Sequence, residues 1–428
     1  MNITADHESY DRERTGFQLA VRHRPEVIFA VESAADVRTA VAHAAARDLP
    51  VAVQATGHGV PHPGEGGVLI TTSRLTGVRV DPEAGTAWVA AGTRWRQVVE
   101  AAAPYGLAPL SGSAPDVSVV GYTLGGGLGI MARQYGYAAD HVRAVEVVTA
   151  DAEHRRVTAD DDTDLFWALR GGRGAFGVVT GLEFDLFPVR TLYGGGLYFA
   201  DFDAVHAWRE WTADLPEELT TSVAVIPYPD VPALPEPLRG RRVVHVRIAY
   251  TGTVADGEDL VAPLRAFGPR LLDTLGELPY SRSETIYNDP TEPAAVQGSH
   301  TLLHTLPPEA VETARAATEA VVEFRHLGGA LARDPKTPNA VGNRDAAYLA
   351  QRITRGADVP DVHAHLEKEL RPWATGGQML NFVSAAHATP EAIKAAFTEE
   401  DYARLQHLKS VRDPANLLRH THTIPPRG

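Results

Sequence analysis

A change of hydrophobic rhythm at Pro188 does most to constrain the fold. Between Pro25 and Pro188 short apolar runs alternate irregularly with Ala-rich helical stretches, a mixed α/β texture. Strands are expected at Val27 to Val31, Val51 to Gln54, Val68 to Thr71, Val78 to Val80, Ala87 to Ala90, Val142 to Thr149 and Gly177 to Leu186. Ser33-Ala-Ala-Asp36 resembles a capping box, with Asp for the usual Glu, and should open a helix running to about Arg47. Further helices should start near Arg94 and span Asp164 to Leu169. Beyond Pro188, Leu197 to Phe199, Ser222 to Ile226 and Val243 to Tyr250 alternate as in an antiparallel sheet. Pro227 to Pro237 reads as a surface loop, and Pro390 to Phe397 as an amphipathic helix. A chain of 428 residues with this break suggests two domains.

Composition removes several functions. With 54 acidic against 40 basic residues the net charge is −14, which argues against a nucleic-acid partner. The chain has no cysteine, so cysteine nucleophiles, Cys-ligated zinc and iron–sulfur clusters are excluded. No leader-like start and no apolar run of about 20 residues is present, so no membrane partner and a cytoplasmic protein are expected. No metal site is expected either. His58 and His62 are four apart but Gly59, Pro61 and Pro63 break any helix between them, and His363, His365, His420 and His422 read as solvated or structural. No G-x-S-x-G elbow is present.

Two Gly-bearing loops carry the chemistry. Leu124-Gly-Gly-Gly127-Leu-Gly129 lacks bulky side chains, so its backbone can approach an anionic ligand closely. Thr56-Gly57-His58-Gly59 follows a strand and is a comparable cradle. Together they point to a large phosphate-bearing cofactor. A third segment, Gly172-Arg-Gly174-Ala-Phe-Gly177, has the G-x-G-x-x-G spacing in the wrong context: a helix precedes it and a strand follows, so a tight turn is the better reading.

With these residues in view, the chain resembles the vanillyl-alcohol-oxidase and berberine-bridge-enzyme-like flavoproteins. The resemblance rests on Val51-Ala-Val-Gln-Ala-Thr-Gly57-His58, Gly66-Gly67-Val-Leu-Ile-Thr, Val119-Val-Gly121-Tyr-Thr-Leu-Gly-Gly-Gly127, Leu165-Phe-Trp-Ala-Leu-Arg-Gly-Gly172 and Asp413-Pro-Ala-Asn416-Leu-Leu. It implies an α+β fold: a bipartite FAD-binding domain of the PCMH type, with an inserted α/β substrate domain on an antiparallel sheet. The boundaries would be 1–190 for the FAD domain, 191–375 for the substrate domain, and 376–428 for a segment returning to the first. His58 matches the histidine bonded to the flavin 8α-methyl, a link that raises the reduction potential and prevents cofactor loss. The neighbouring arginine and glycine of the family are Gln54 and Thr56 here, which leaves a plain loop histidine as the alternative. Ala114 stands where doubly linked members have cysteine, so FAD would be covalent through His58 only. By the same resemblance Thr56, Gly57, Gly59, Val60, Ser113, Ser118, Gly121, Tyr122, Thr123, Gly126, Gly127, Val179, Asn381 and Asn416 would contact the cofactor.

The family's catalytic tyrosine, in Tyr-x-Asn, is Met379 here, ahead of Leu380-Asn381. A thioether is no general base. Three readings follow. A neutral amine needs no base, and an amine-oxidising member of the family also has an apolar residue at this place. Alternatively Tyr198, His245, Tyr250 or His300 of the substrate sheet supplies a base for alcohol or sugar oxidation. In the third, FAD is a scaffold for a non-redox cyclisation or ligand binding. The expectation is an FAD-dependent oxidoreductase that moves a hydride from a small specialised metabolite to flavin N5, with O2 as acceptor. Oligomeric state is not legible.

Overall fold

A computed structural model describes the chain except for residues 1, 61–62, 357–359, 384–386, 421, 423 and 428. His62 therefore lies outside the described residues. The fold is built on three sheets. In the first, β1 (Asn2–Ile3), β2 (Val27–Ala30), β3 (Val51–Gln54) and β4 (Val68–Thr71) lie in the order β1-β2-β4-β3, and β4 runs parallel to both β2 and β3. The helix Ala34–Ala45 covers it, burying Val37, Ala40, Val41 and Ala44 against Val27, Phe29, Val51 and Ile70. Ser33 caps that helix as expected, its hydroxyl accepting from the Asp36 amide at 3.2 Å.

The second sheet is antiparallel. It contains β5 (Val78–Asp81), β6 (Thr86–Ala90), β7 (Val142–Val148), β8 (His154–Thr158) and β9 (Val178–Asp185), in the order β5-β6-β9-β7-β8. The helices Trp95–Ala102, Thr163–Leu169 and Glu399–Arg412 pack on it through Trp95, Phe166, Leu405 and their neighbours. After Glu399–Arg412 the chain returns to the first sheet, where the Val51 amide donates to Leu417 O and Ala52 bridges His420.

The third sheet starts at Thr191, close to the change of rhythm. It is formed by β10 (Thr191–Phe199), β11 (Leu219–Pro227), β12 (Arg242–Tyr250), β13 (Arg270–Asp273), β14 (Gly276–Pro279), β15 (Val296–Leu303), β16 (Val321–His326) and β17 (Tyr348–Arg355). All its pairings are antiparallel, in the order β13-β10-β12-β11-β16-β17-β15, with β14 also on β10. One face is apolar: Val223, Val246, Ile248 and Phe324 pack under the helices Ala204–Trp211, Val254–Phe267 and Pro308–Ala316. Because side chains alternate along a strand, the other face carries Ser222, His245, Arg247, Glu323 and Arg325.

The expected strands up to Leu186, and Val243 to Tyr250, hold within a residue or two, whereas Leu197 to Phe199 and Ser222 to Ile226 cover only part of longer strands that start at Thr191 and Leu219. Two further elements differ. Pro227 ends β11 instead of opening a loop, and the helix at Pro390 stops at Lys394, leaving Ala396 and Phe397 buried beyond its end. Among the described residues no helix is long and apolar enough to cross a membrane.

Candidate functional site

A cleft of about 340 Å³ opens between the first two sheets and the polar face of the third. Its first wall is the loop after β3. Gly57 has φ +69°, and a Cβ there would stand 2.6 Å from Gly16 Cα, so only glycine lets the N-terminal segment lie against the loop. That segment clamps it: the Phe17 amide donates to Thr56 O and the Gln18 amide to Gly57 O. The His58 ring stacks on Phe17 with centroids 4.0 Å apart and 11° between planes, and its Nδ1 lies 2.9 Å from Thr56 Oγ1. Burial, with Arg94 nearby, lowers the His58 pKa to about 4, so the ring is neutral at pH 7 and one nitrogen keeps its lone pair.

The second wall is the segment from Ser113 through the helix Val119–Leu124. Thr56 Oγ1 also accepts from the Ser118 amide at 3.4 Å, joining the two walls. Gly121 turns its Cα to the opening, where an added Cβ would meet nothing within 4 Å. Ser113, Ser118, Tyr122, Val60 and Val179 line the cleft with Thr56, Gly57, His58 and Gly59, as does Ala114 at the place of the second link.

The glycine run behaves differently from expectation. Thr123, Gly126 and Gly127 do not line the cleft. Gly127, at φ +81°, is where the chain packs on itself: a Cβ would come 2.6 Å from Tyr122 Cε1 and 2.8 Å from Ala138 Cβ. The run thus packs around the Tyr122 ring, and the glycine whose backbone lines the cleft lies earlier, at Gly121. Asn416 is also away from the cleft, in the turn after Glu399–Arg412, where the neighbouring Asp413 carboxylate accepts from the Leu417 and Leu418 amides and pairs with the buried Lys409 at 2.6 Å.

The third wall comes from Asn381, Phe382 and Arg325. Asn381 Nδ2 donates to Tyr122 O at 2.9 Å, and its Oδ1 accepts from Arg173 Nη2 at 2.5 Å. Met379 is buried in a small hollow beside the cleft, with its amide donating to His300 Nε2 at 2.9 Å. His300 also bonds the Phe382 backbone, and burial lowers its pKa to about 3. Both functions of that ring are therefore spent on holding the segment from 379 to 382. Tyr198 and His245 stack on each other at 3.9 Å, and His245 Nδ1 accepts from Arg247 Nε. Neither lines the cleft. Tyr250 sits on the opposite, apolar face, because it is an odd number of residues from His245 and Arg247 along β12.

Sequence reasoning missed Arg173 and Arg325. Glu323 bridges Arg247 (2.7 Å) and Arg325 (2.9 Å) and accepts from Ser222 (2.9 Å). Burial opposes its charge, but the two guanidinium groups outweigh this and hold its carboxyl below the usual value. Arg173 lies in Gly172-Arg-Gly174-Ala-Phe-Gly177, which is indeed the turn between the helix Thr163–Leu169 and β9. Reading that segment as a turn was right, yet one of its side chains lines the cleft. The clue in the sequence was an arginine set among glycines.

Residues 25–158 match the family described as FAD binding domain. The chain is 25% identical to (R)-6-hydroxynicotine oxidase of Paenarthrobacter nicotinovorans, over 95% of this chain and 92% of that one. It is 24% identical to the FAD-linked oxidoreductase YgaK of Bacillus subtilis, over 99% and 96%. The structure of 6-hydroxy-D-nicotine oxidase from Arthrobacter nicotinovorans superposes with a TM-score of 0.86 at 23% identity, covering 100% of this chain and 98% of that one, and shows the same fold.

The cleft suits FAD chemically. Although the chain carries a net charge of −14, among the described residues no carboxylate lines the cleft and two guanidinium groups do. Arg173 Nε is buried there without a hydrogen-bond partner, and Gly121 presents bare backbone. An anionic dinucleotide supplies what such a surface lacks.

Proposed function

We propose, for a chain that belongs to the vanillyl-alcohol-oxidase and berberine-bridge-enzyme-like FAD-linked oxidoreductases, that it oxidises a small neutral amine, with O2 as final acceptor. The observation that carries this reading is that, among the described residues, none of the candidate bases stands free where Asn381, Phe382 and Arg325 meet. Met379 replaces the family tyrosine, His300 is committed to backbone at Met379 and Phe382, and Tyr250 faces the helices. The Tyr122 hydroxyl, buried and without a partner, has its pKa raised well above 10 and stays protonated. An alcohol must lose its O–H proton as hydride leaves its carbon. A neutral amine already holds the lone pair that becomes the iminium bond, so the substrate needs only orientation and a dry site. The likeness to (R)-6-hydroxynicotine oxidase over nearly the whole chain supports the same reading.

When bound, the flavin supplies a hydride acceptor at N5 and passes the electrons to O2 as hydrogen peroxide. Around it, the loop from Thr56 to Val60 and the segment from Ser113 to Tyr122 hold the cofactor. His58 is its covalent anchor, a neutral imidazole with a lone pair for the methyl carbon. Asn381, fixed by Tyr122 O and Arg173, orients the reacting end. Phe382 and Leu128 exclude water beside it.

Anaerobic mixing of the yellow holoprotein with a panel of amines and a panel of alcohols and sugars tests the reading. Bleaching by an amine, followed by peroxide formation on admitting air, is the expected result. Bleaching by alcohols or sugars alone would overturn it. A precursor rearranged without O2 uptake would place the protein with non-redox flavoproteins.

A further inference from the structure

We infer that Arg173 is the fixed positive charge that sets the electron affinity of the flavin ring in this protein. The inference rests on the flavoenzyme reading above and goes beyond it, because Met379, Asn381 and His58 account for proton chemistry and anchoring but not for redox tuning. Four observations meet at this residue. Arg173 has φ +55°, a left-handed conformation that side chains other than glycine rarely adopt, yet arginine stands there between Gly172 and Gly174. Among the described residues it forms no ion pair, whereas Arg247 and Arg325 share Glu323. Burial alone lowers its pKa, to about 10, with no carboxylate to offset it. Its guanidinium lines the cleft, with Nε buried and unpartnered.

An enclosed cation without a counter-ion is costly unless a bound group supplies the anion. The cofactor offers two, the pyrophosphate and the reduced ring. The position favours the ring. Nη2 is held by Asn381 Oδ1 (2.5 Å) and Leu380 O (3.1 Å), in the segment that meets the third sheet through His300, and Phe382 lies 5.5 Å from the Arg325 guanidinium. On its other side Nη1 approaches Gly59, the neighbour of His58: a Cβ on Gly59 would be 3.8 Å away. Arg173 thus stands between the proposed anchor and the proposed reacting end. A neutral ring that accepts a hydride, two electrons with one proton, gains one negative charge, and the substrate that gave the hydride gains one positive charge. A cation fixed beside the ring favours that reduced state.

The test uses the purified holoprotein and the variants Arg173→Gly and Arg173→Lys. Glycine suits φ +55°, so folding is retained while the charge is lost. Sulfite, which adds to oxidised flavin to give an anionic adduct, probes the charge, and dye equilibration gives the reduction potential. Arg173→Gly should keep its flavin, bind sulfite about tenfold or more weakly, and have a lower potential, while Arg173→Lys stays within about threefold of the parent. A loaded Arg173→Gly with unchanged sulfite affinity and potential would overturn the inference. So would loss of flavin with normal affinity in the fraction still loaded, which would assign the charge to the pyrophosphate. Equal weakening in both variants would show that shape and not charge matters. A parent protein that carries no flavin would instead sink the flavoenzyme reading itself.

Discussion

At the scale of the residue, burial does different things to chemically similar groups. Lys409 is fully buried but reaches Asp413 at 2.6 Å and Ala175 O at 2.7 Å, so its charge is neutralised and it braces the turn that carries Arg173. Arg173 has hydrogen bonds without neutralisation. His58 is neutral because burial removes the water that would stabilise its cation, and its ring is immobilised on Phe17. Replacing His58 with Ala should leave a folded protein whose flavin comes away on acid precipitation, whereas the parent retains it in the pellet. Flavin that stays with the Ala variant would show that the anchor is elsewhere. The histidine was legible in the sequence because the motif around it is local. Arg173 was not, since its relation to Asn381 spans more than two hundred residues and depends on how separate elements meet.

At the scale of the element, the segment from Met379 to Phe382 is the part that strand periodicity could not describe. It is a short irregular stretch held by β15 through His300 and by the helix Val119–Leu124 through Tyr122 O. Replacing His300 with Leu leaves the Met379 amide buried without its acceptor, a cost of about 1–3 kcal/mol. Hydrogen exchange at Met379 should then speed up, with KM rising more than kcat falls. Unchanged exchange would mean that the segment is held by packing alone. The strands were readable because alternation reports burial directly, and β12 shows the limit of such reading. Its polar positions identify one face, but which face meets the cleft is settled by the helices that cover the other. Tyr250 was a reasonable candidate by residue type and falls on the wrong side by parity. The glycine run was legible as a place of close approach. What approaches, the Tyr122 ring, was not.

At the scale of the whole molecule, several histidines are folded into neutral positions. His23, His245, His300 and His363 are 3%, 0%, 6% and 1% exposed. Burial lowers the pKa of His23 and His363 to about 4 and of His300 to about 3, and takes His245 well below 6.5. A histidine with a depressed folded pKa takes up its proton in the unfolded chain first. Its stabilisation is therefore complete above about pH 7 and is lost as pH falls from about 6.5 towards 4. Urea unfolding should give a free energy lower at pH 5.5 than at pH 7.5, by on the order of 1 kcal/mol for each such histidine. A flat profile would contradict neutral burial. The sequence by itself determined most strands up to Tyr250, the break at Pro188, the Gly-bearing loop around His58 and the presence of Met379 ahead of Asn381, because each is written in local periodicity or in a contiguous motif. Only the tertiary structure decided that, among the described residues, no carboxylate lines the cleft of a strongly acidic chain, that His300 is a bracket, and that an arginine without an ion pair lines the cleft. Charge balance and hydrogen-bond partnership are properties of groups brought together from distant parts of the chain, and no local pattern records them.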